Sequence, residues 1–117
     1  MEIFRFLEWK VYKDAKTLFF ESLKIVHALP KEHRFEIGGQ LVRSSLSVVL
    51  NIAEGSGRKT SKDMAHFFDI AIGSLNETLA CLDVLKDCGF IKDAGFSKIK
   101  DLISEISRQL GGFKKRL

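Results

Sequence analysis

Apolar residues recur along this chain at helical rather than strand spacing, in four blocks separated by short polar breaks. In the first block, about Phe4 to Leu29, a stripe collects Leu7, Val11, Ala15, Leu18, Phe19, Val26 and Leu29 at about 100° per residue. Trp9, Tyr12, Phe20 and Leu23 widen it past half the circumference, and Lys10, Lys13, Glu21 and Lys24 hold what is left. A helix that packs only within its own bundle needs a narrower stripe. The excess predicts a second apolar contact through Trp9, Tyr12, Phe20 and Leu23, and therefore a homo-oligomer.

Pro30 cannot continue a helix interior, and Pro30 to Arg34 is read as a break. The second helix is expected from about Phe35 to Glu54, with an apolar arc of Phe35, Leu41, Val42, Leu46, Val48, Val49, Ile52 and Ala53. Opposite that arc runs a polar stripe: Gln40, Arg43, Ser44, Ser47, Asn51 and Glu54. Short hydrogen-bonding side chains replace the lysine and glutamate of an ordinary solvent face. The stripe therefore predicts a helix–helix or subunit seam, with Asn51 and Glu54 bonded to partners that fix register. Gly55-Ser56-Gly57 is expected to end the helix through a left-handed glycine.

Thr60 or Ser61 caps the third helix, with Asp63 three positions after Thr60, and Gly89 closes it after Cys88. Its core stripe is Met64, Phe67, Phe68, Ala71, Leu75, Leu79, Leu82 and Leu85. Ser74 and Glu77 interrupt a face that is otherwise apolar. Glu77 is expected either to pair with Arg43 or to face water. Asp93 is the expected N-cap of a fourth helix carrying Phe96, Ile99, Leu102, Ile103, Ile106, Leu110, Phe113 and Leu117. Gly111-Gly112 should loosen its end by roughly 1 kcal/mol per glycine relative to alanine. Four helices with short links predict an all-α fold: one domain, residues 1–117, as an antiparallel up-down-up-down four-helix bundle.

Composition narrows the class without changing it. A chain of 117 residues is long enough for one ordinary domain, and 45% hydrophobic with 29% charged residues gives a globular balance. The first residues lead straight into the amphipathic pattern with no signal-peptide character, and no apolar run approaches the roughly 20 residues a bilayer requires. A cytoplasmic location away from membranes is expected. Cys81 and Cys88 lie two helical turns apart, about 10.5 Å along the axis. That exceeds the roughly 7 Å reach of a disulfide, so two buried, reduced thiols are expected.

No catalytic pattern emerges. Gly55 to Ser61 glances at a phosphate-binding loop, but Arg58 separates glycine from lysine and a helix, not a strand, precedes it. His27, His33 and His66 are scattered, without the i, i+4 spacing of a metal pair, and no serine sits in a glycine-flanked nucleophile elbow. The sequence therefore predicts no enzyme, no metal, no cofactor and no small-molecule substrate.

Charge carries more information by position than by sum. The net value is +4 and the pI near 9.2. In an up-down-up-down bundle, the N-terminus, the turn between the second and third helices, and the C-terminus share one end. That end gathers Arg5, Arg58, Lys59, Lys62, Lys114, Lys115 and Arg116 against Glu2, Glu8, Glu54 and Asp63. The opposite end sets Lys31, Arg34 and Lys92 against Glu32, Glu36, Asp87 and Asp93. Two helix N-termini add their positive dipole ends to the basic side. Sequence-tolerant binding of RNA or DNA is expected there. With no aromatic cluster visible beside the charges, base-specific reading is not. The alternative is a structural oligomer that recruits a protein partner and uses its lysines only for solubility.

Two stretches resemble a known signature: Gln40 to Ser47 running on to Asn51-Ile52-Ala53-Glu54-Gly55-Ser56-Gly57-Arg58, and Phe67 to Glu77 with its Gly73-Ser74-Leu75-Asn76-Glu77. With Trp9 and Gly89, they resemble the four-helix bundle proteins encoded in intervening sequences of bacterial large-subunit ribosomal RNA, over nearly the whole chain. The resemblance implies an antiparallel four-helix bundle, assembly as a homopentameric ring, and a link to RNA. A related branch serves retroelement reverse transcriptases as an accessory subunit that binds nucleic acid and polymerase. One departure stands out: the family often has Pro-Ser before the asparagine, where this chain has Val49-Leu50. A straighter second helix is the expected consequence.

Overall fold

Thr60 shows how local chemistry sets the element boundaries. Its side-chain oxygen accepts the Asp63 backbone N–H at 3.1 Å, satisfying one of the orphan donors of the first turn and starting the longest helix. The computed structural model describes residues 3–117, and every regular element among them is helical. A single 3-10 turn, Arg5–Glu8, precedes α1 (Lys10–Ala28); the short α2 (Lys31–Arg34) and the long α3 (Ile37–Ser56), α4 (Ser61–Asp87) and α5 (Asp93–Lys115) follow.

Four boundaries differ from the sequence expectation. The first block is interrupted at Trp9, whose backbone is extended at φ −68°, ψ 134°. Its ring lies 4.9 Å from that of Phe113, while Phe6 meets Tyr12 edge-on at 5.0 Å. The break turns the N-terminal segment across the end of the molecule and leaves Leu7 exposed. The segment after Pro30 is not a plain break, because it winds one short helix, and Arg34 donates from Nε to the Leu29 carbonyl at 2.9 Å. That bond satisfies a carbonyl at the end of α1. The expected left-handed glycine is also absent from Gly55-Ser56-Gly57: Gly57 has φ −92° and Gly55 lies inside α3. Gly89, at φ +86°, is the one positive-φ residue among those described, and it terminates α4. Lys92 rather than Asp93 takes the N-cap position of α5, without a side-chain cap bond.

The four long helices pack in a closed cycle, α1 on α3 and α5, and α4 on α3 and α5. Between α3 and α4 the partners run in opposite order, Gln40 with Glu77, Ser47 with Ser74, and Gly55 with Phe68. The core they enclose is almost purely aliphatic, with Leu18 from α1, Ile52 from α3, Leu75 from α4 and Ile106 from α5 fully buried, and Phe68 as its largest member. Burial of each such side chain contributes about 1.5–3 kcal/mol. Among the described residues no helix is long and apolar enough to cross a membrane. Val49 and Leu50 sit within an uninterrupted α3.

A line of hydroxyls crosses the α3–α4 contact. Thr78 donates to the Ser74 carbonyl at 2.8 Å and its hydroxyl lies 2.9 Å from that of Ser44; Ser47 and Ser74 are 2.8 Å apart. Asn51 donates from Nδ2 to the Ser47 carbonyl at 2.8 Å and to its hydroxyl at 3.0 Å. Each buried polar group in this line is thus satisfied, which small side chains achieve without separating the backbones. Asn51→Ala removes two of these bonds and is expected to lower stability by about 1 kcal/mol in denaturant titration. An unchanged midpoint would mean that water replaces the amide at no cost.

Near the turn, α3 packs closely on α4 at Gly55. A Cβ built there would meet Phe68 Cε1 at 3.0 Å and Phe67 Cβ at 3.1 Å, and Phe68 is fully buried and cannot yield. Gly73, by contrast, sits mid-helix on the exposed face of α4 with nothing within 4 Å of such a Cβ. Gly55→Val is therefore expected to cost about 2 kcal/mol by overpacking. Gly73→Ala should gain about 0.5–1 kcal/mol from helix propensity and a less flexible unfolded chain. Thermal unfolding of both variants beside the parent checks the pair of signs.

Candidate nucleic-acid interface

The end of the molecule at which α3 stops and α4 starts also holds the N-terminal turn and the last turns of α5. One groove of about 390 Å³ records this meeting, lined by Arg5, Phe6 and Trp9, by Ser56 of α3 and Met64 of α4, and by Phe113 of α5. The segments that carry Arg5, Arg58, Lys59, Lys62, Lys114, Lys115 and Arg116 therefore converge. Glu2 lies outside the described residues.

These cations are not equivalent. Arg58 forms an ion pair with Glu54 at 3.0 Å and lays its guanidinium over the Phe67 ring, 4.5 Å from the centroid. Lys114 reaches across to the Asp69 carboxylate, and Arg116 lies over the Phe113 ring at 5.0 Å. Arg5, Lys59, Lys62 and Lys115 are exposed. Of the acidic residues nearby, Glu8 is occupied by Lys13 at 3.3 Å. The contacts that hold Arg58 and Lys114 are solvent-exposed pairs, worth about 0–1 kcal/mol each.

The polar stripe divides into two parts. Ser44 and Ser74 are buried and Ser47 and Asn51 half-buried in the α3–α4 contact, while Gln40, Arg43, Glu54 and Glu77 are exposed at its margin. Glu77 faces water, and its partner is Gln40, whose amide donates to the carboxylate; Arg43 donates to the Gln40 carbonyl oxygen at 3.0 Å. Arg43 and Glu77 are therefore joined through Gln40, not directly.

The four residues expected at an oligomer contact also separate. Trp9 and Tyr12 are half-buried against their own chain, Tyr12 lying under Lys16 as well, and Leu23 is half-buried. Only Phe20, at 55% exposure, presents a largely open apolar side chain. The larger exposed set is Ile3, Phe4, Phe35 and Leu50. Phe35 had been placed on a core arc, but α3 begins after it, at Ile37. The thiols differ from expectation too: Cys81 is half-buried and Cys88 exposed, because α4 ends there. Burial, with the Glu77 charge beside it, pushes the Cys81 thiol pKa up.

Sequence reasoning missed one cluster altogether. Phe4 and Phe6 of the N-terminal turn and Phe67 of α4 line a second groove, of about 400 Å³, whose other wall is Leu50, Asn51, Ala53 and Glu54 of α3. Some sixty positions separate its aromatic members in the chain. Only the break at Trp9, which no periodicity signals, brings them together.

No curated protein matches the sequence. Among solved structures, the chain is similar to a protein of unknown function from the S23 ribosomal protein family of Bacteroides thetaiotaomicron. The two share 23% identity over 90% of this chain and 98% of the other, with a TM-score of 0.83. That likeness establishes the fold. The family model described as the 23S rRNA-intervening sequence protein matches residues 8–112, and the chain belongs to that family.

Proposed function

We propose that this protein is a non-enzymatic, cytoplasmic RNA-binding or ribonucleoprotein scaffold, an up-down-up-down four-helix bundle that assembles with copies of itself and holds nucleic acid at its basic end. The observation that carries the reading is the convergence of Arg5 with Ser56, Met64 and Phe113 in one groove, which puts three basic segments side by side. Three further features support it. Lys59 and Lys62 stand exposed at the turn, the α4 N-terminus points its dipole toward them, and the family takes its name from sequences within ribosomal RNA. Exposed Phe20, Ile3 and Phe35 supply apolar surface for self-association. A ring of five, the number implied by the sequence resemblance, would repeat the basic end around one face. Weak phosphate contacts would then add by avidity. DNA offers the same phosphates and is an alternative ligand.

Two measurements test this reading. Light scattering at micromolar concentration should report an oligomer, and a monomer would overturn the assembly. Gel shifts against structured RNA should weaken steeply as salt rises, and the triple variant Arg58→Glu, Lys59→Glu, Lys62→Glu should lose binding while keeping its mass. If that variant binds as tightly as the parent, the basic end is not the site and a protein-recruiting adaptor becomes the better account.

A further inference from the structure

The groove between the N-terminal turn and α3 has the makings of a base pocket. Its volume of about 400 Å³ falls within the roughly 300–1,000 Å³ of small-ligand clefts. Aromatic rings wall it on one side, and Phe4 is 58% exposed, an open π-face of the kind on which bases stack. Phe6 is held edge-on by Tyr12 at 5.0 Å, so that wall is fixed in advance. Leu50, 56% exposed, flanks the open groove on the other side. The rim joins the basic turn directly: Glu54 pairs with Arg58, and Arg58 covers Phe67.

The polar atoms at the rim determine which base would fit. Asn51 commits its amide nitrogen to Ser47, and its Oδ1 accepts no hydrogen bond from the described residues. One oxygen of Glu54 takes Arg58 at 3.0 Å; the other accepts none among the described residues. The site thus offers acceptors and no spare amide donor. A ligand edge that satisfies it must present adjacent donors. Guanine does so through N1–H and the N2 amino group, whereas uracil, cytosine and adenine each place a single donor group on their pairing edge. Guanine is also a large stacking surface, and the flanking Arg58 and Lys59 match the phosphates of the strand that carries it.

We propose that this groove takes one unpaired guanine base of a bound RNA strand, stacked against Phe4 and held at its donor edge by Glu54 and Asn51. The proposal rests on the RNA-binding reading above and adds a base preference to it. An intact groove of aromatic and acceptor groups has a competing use, burial against a second copy of the chain, and the test separates the two.

The experiment measures fluorescence anisotropy of the full-length protein with a labelled short oligouridylate, and with the same oligomer carrying one central guanosine. The guanosine should tighten binding about tenfold, the value of one good bidentate base contact. Glu54→Gln should bring the two affinities together without weakening the oligouridylate. Phe4→Ser, at an exposed position that leaves the fold intact by thermal melting, should lose about tenfold on the guanosine oligomer. Equal affinity of the parent for both oligomers overturns the guanine pocket while leaving the basic-end reading standing. Loss of all binding in the parent overturns both. A changed molecular mass for Phe4→Ser, with no guanosine preference in the parent, assigns the groove to contact between copies instead.

Discussion

One aromatic chain holds the basic end of this protein together. Phe68 of α4 is fully buried, and its ring meets Phe113 of α5 nearly perpendicular, at 5.6 Å and 70°. Phe113 in turn meets Trp9 at 4.9 Å, where the N-terminal segment turns off α1. Pairs of this kind contribute about 0.5–1.5 kcal/mol beyond their area. The chain of rings begins at Gly55, where a Cβ would press on Phe68 at 3.0 Å. Three segments distant in sequence are thereby held at one end, and the convergence of the segments carrying Arg5, Arg58 and Lys114 follows from that arrangement.

Away from that end, the packing is held by weaker and more distributed interactions. The α3–α4 hydroxyl line keeps those two helices at a close distance set by serine and threonine. On the α1–α5 side the contact carries a network of charged and polar side chains. Lys10 reaches Asp14 at 2.7 Å and Glu105 at 3.7 Å, Arg108 holds both oxygens of Glu105, and Gln109 donates to Asp14 at 2.8 Å. The Arg108 hydrogen bond holds the Glu105 carboxyl below its ordinary range, and the Asp14 hydrogen bond raises the Lys10 pKa. A lowered carboxylate pKa stabilises the fold above the usual carboxylate range and ceases to do so as the pH falls through the folded value. Lys10 and Arg108 are exposed and the Glu105 side chain is one-third exposed, so salt screens much of the effect, while Ile103, Ile106 and Leu110 carry the buried apolar contact of α5.

Much of the fold was legible because four apolar blocks carry a clear helical period, and because Thr60, Pro30 and Gly89 mark their edges. The middle of the polar stripe was legible for the same reason: serine and asparagine recurring on one face have a physical use only where backbones come close. What periodicity could not show was the break at Trp9. Phe4, Leu7, Val11 and Leu18 fit one uninterrupted stripe, and the energy that bends the chain comes from Phe113, more than a hundred residues away. The rest of this end depends on that bend. Trp9 and Tyr12 read as surplus surface, Leu7 as core, and the Phe4–Phe6–Phe67 cluster went unseen. The role of Gly55 was misread because glycine near a helix end suggests a cap, whereas here it permits close packing.

The ion pairs at the basic end bear on how it could exchange partners. Arg58 and Glu54 are both substantially exposed, so their mutual attraction is small and screened, and its loss costs the fold little. A phosphate approaching the turn competes for Arg58 with a charge-assisted contact of comparable or greater strength. Were Arg58 to move to such a phosphate, the paired Glu54 oxygen at the rim of the aromatic groove would lose its partner as well. In the proposed reading, backbone and base contacts would be coupled through this one weak surface pair. The buried ring of Phe68 beneath them need not move. A rigid core under a loosely paired rim lets the end of the helical body change partners without unfolding any part of it.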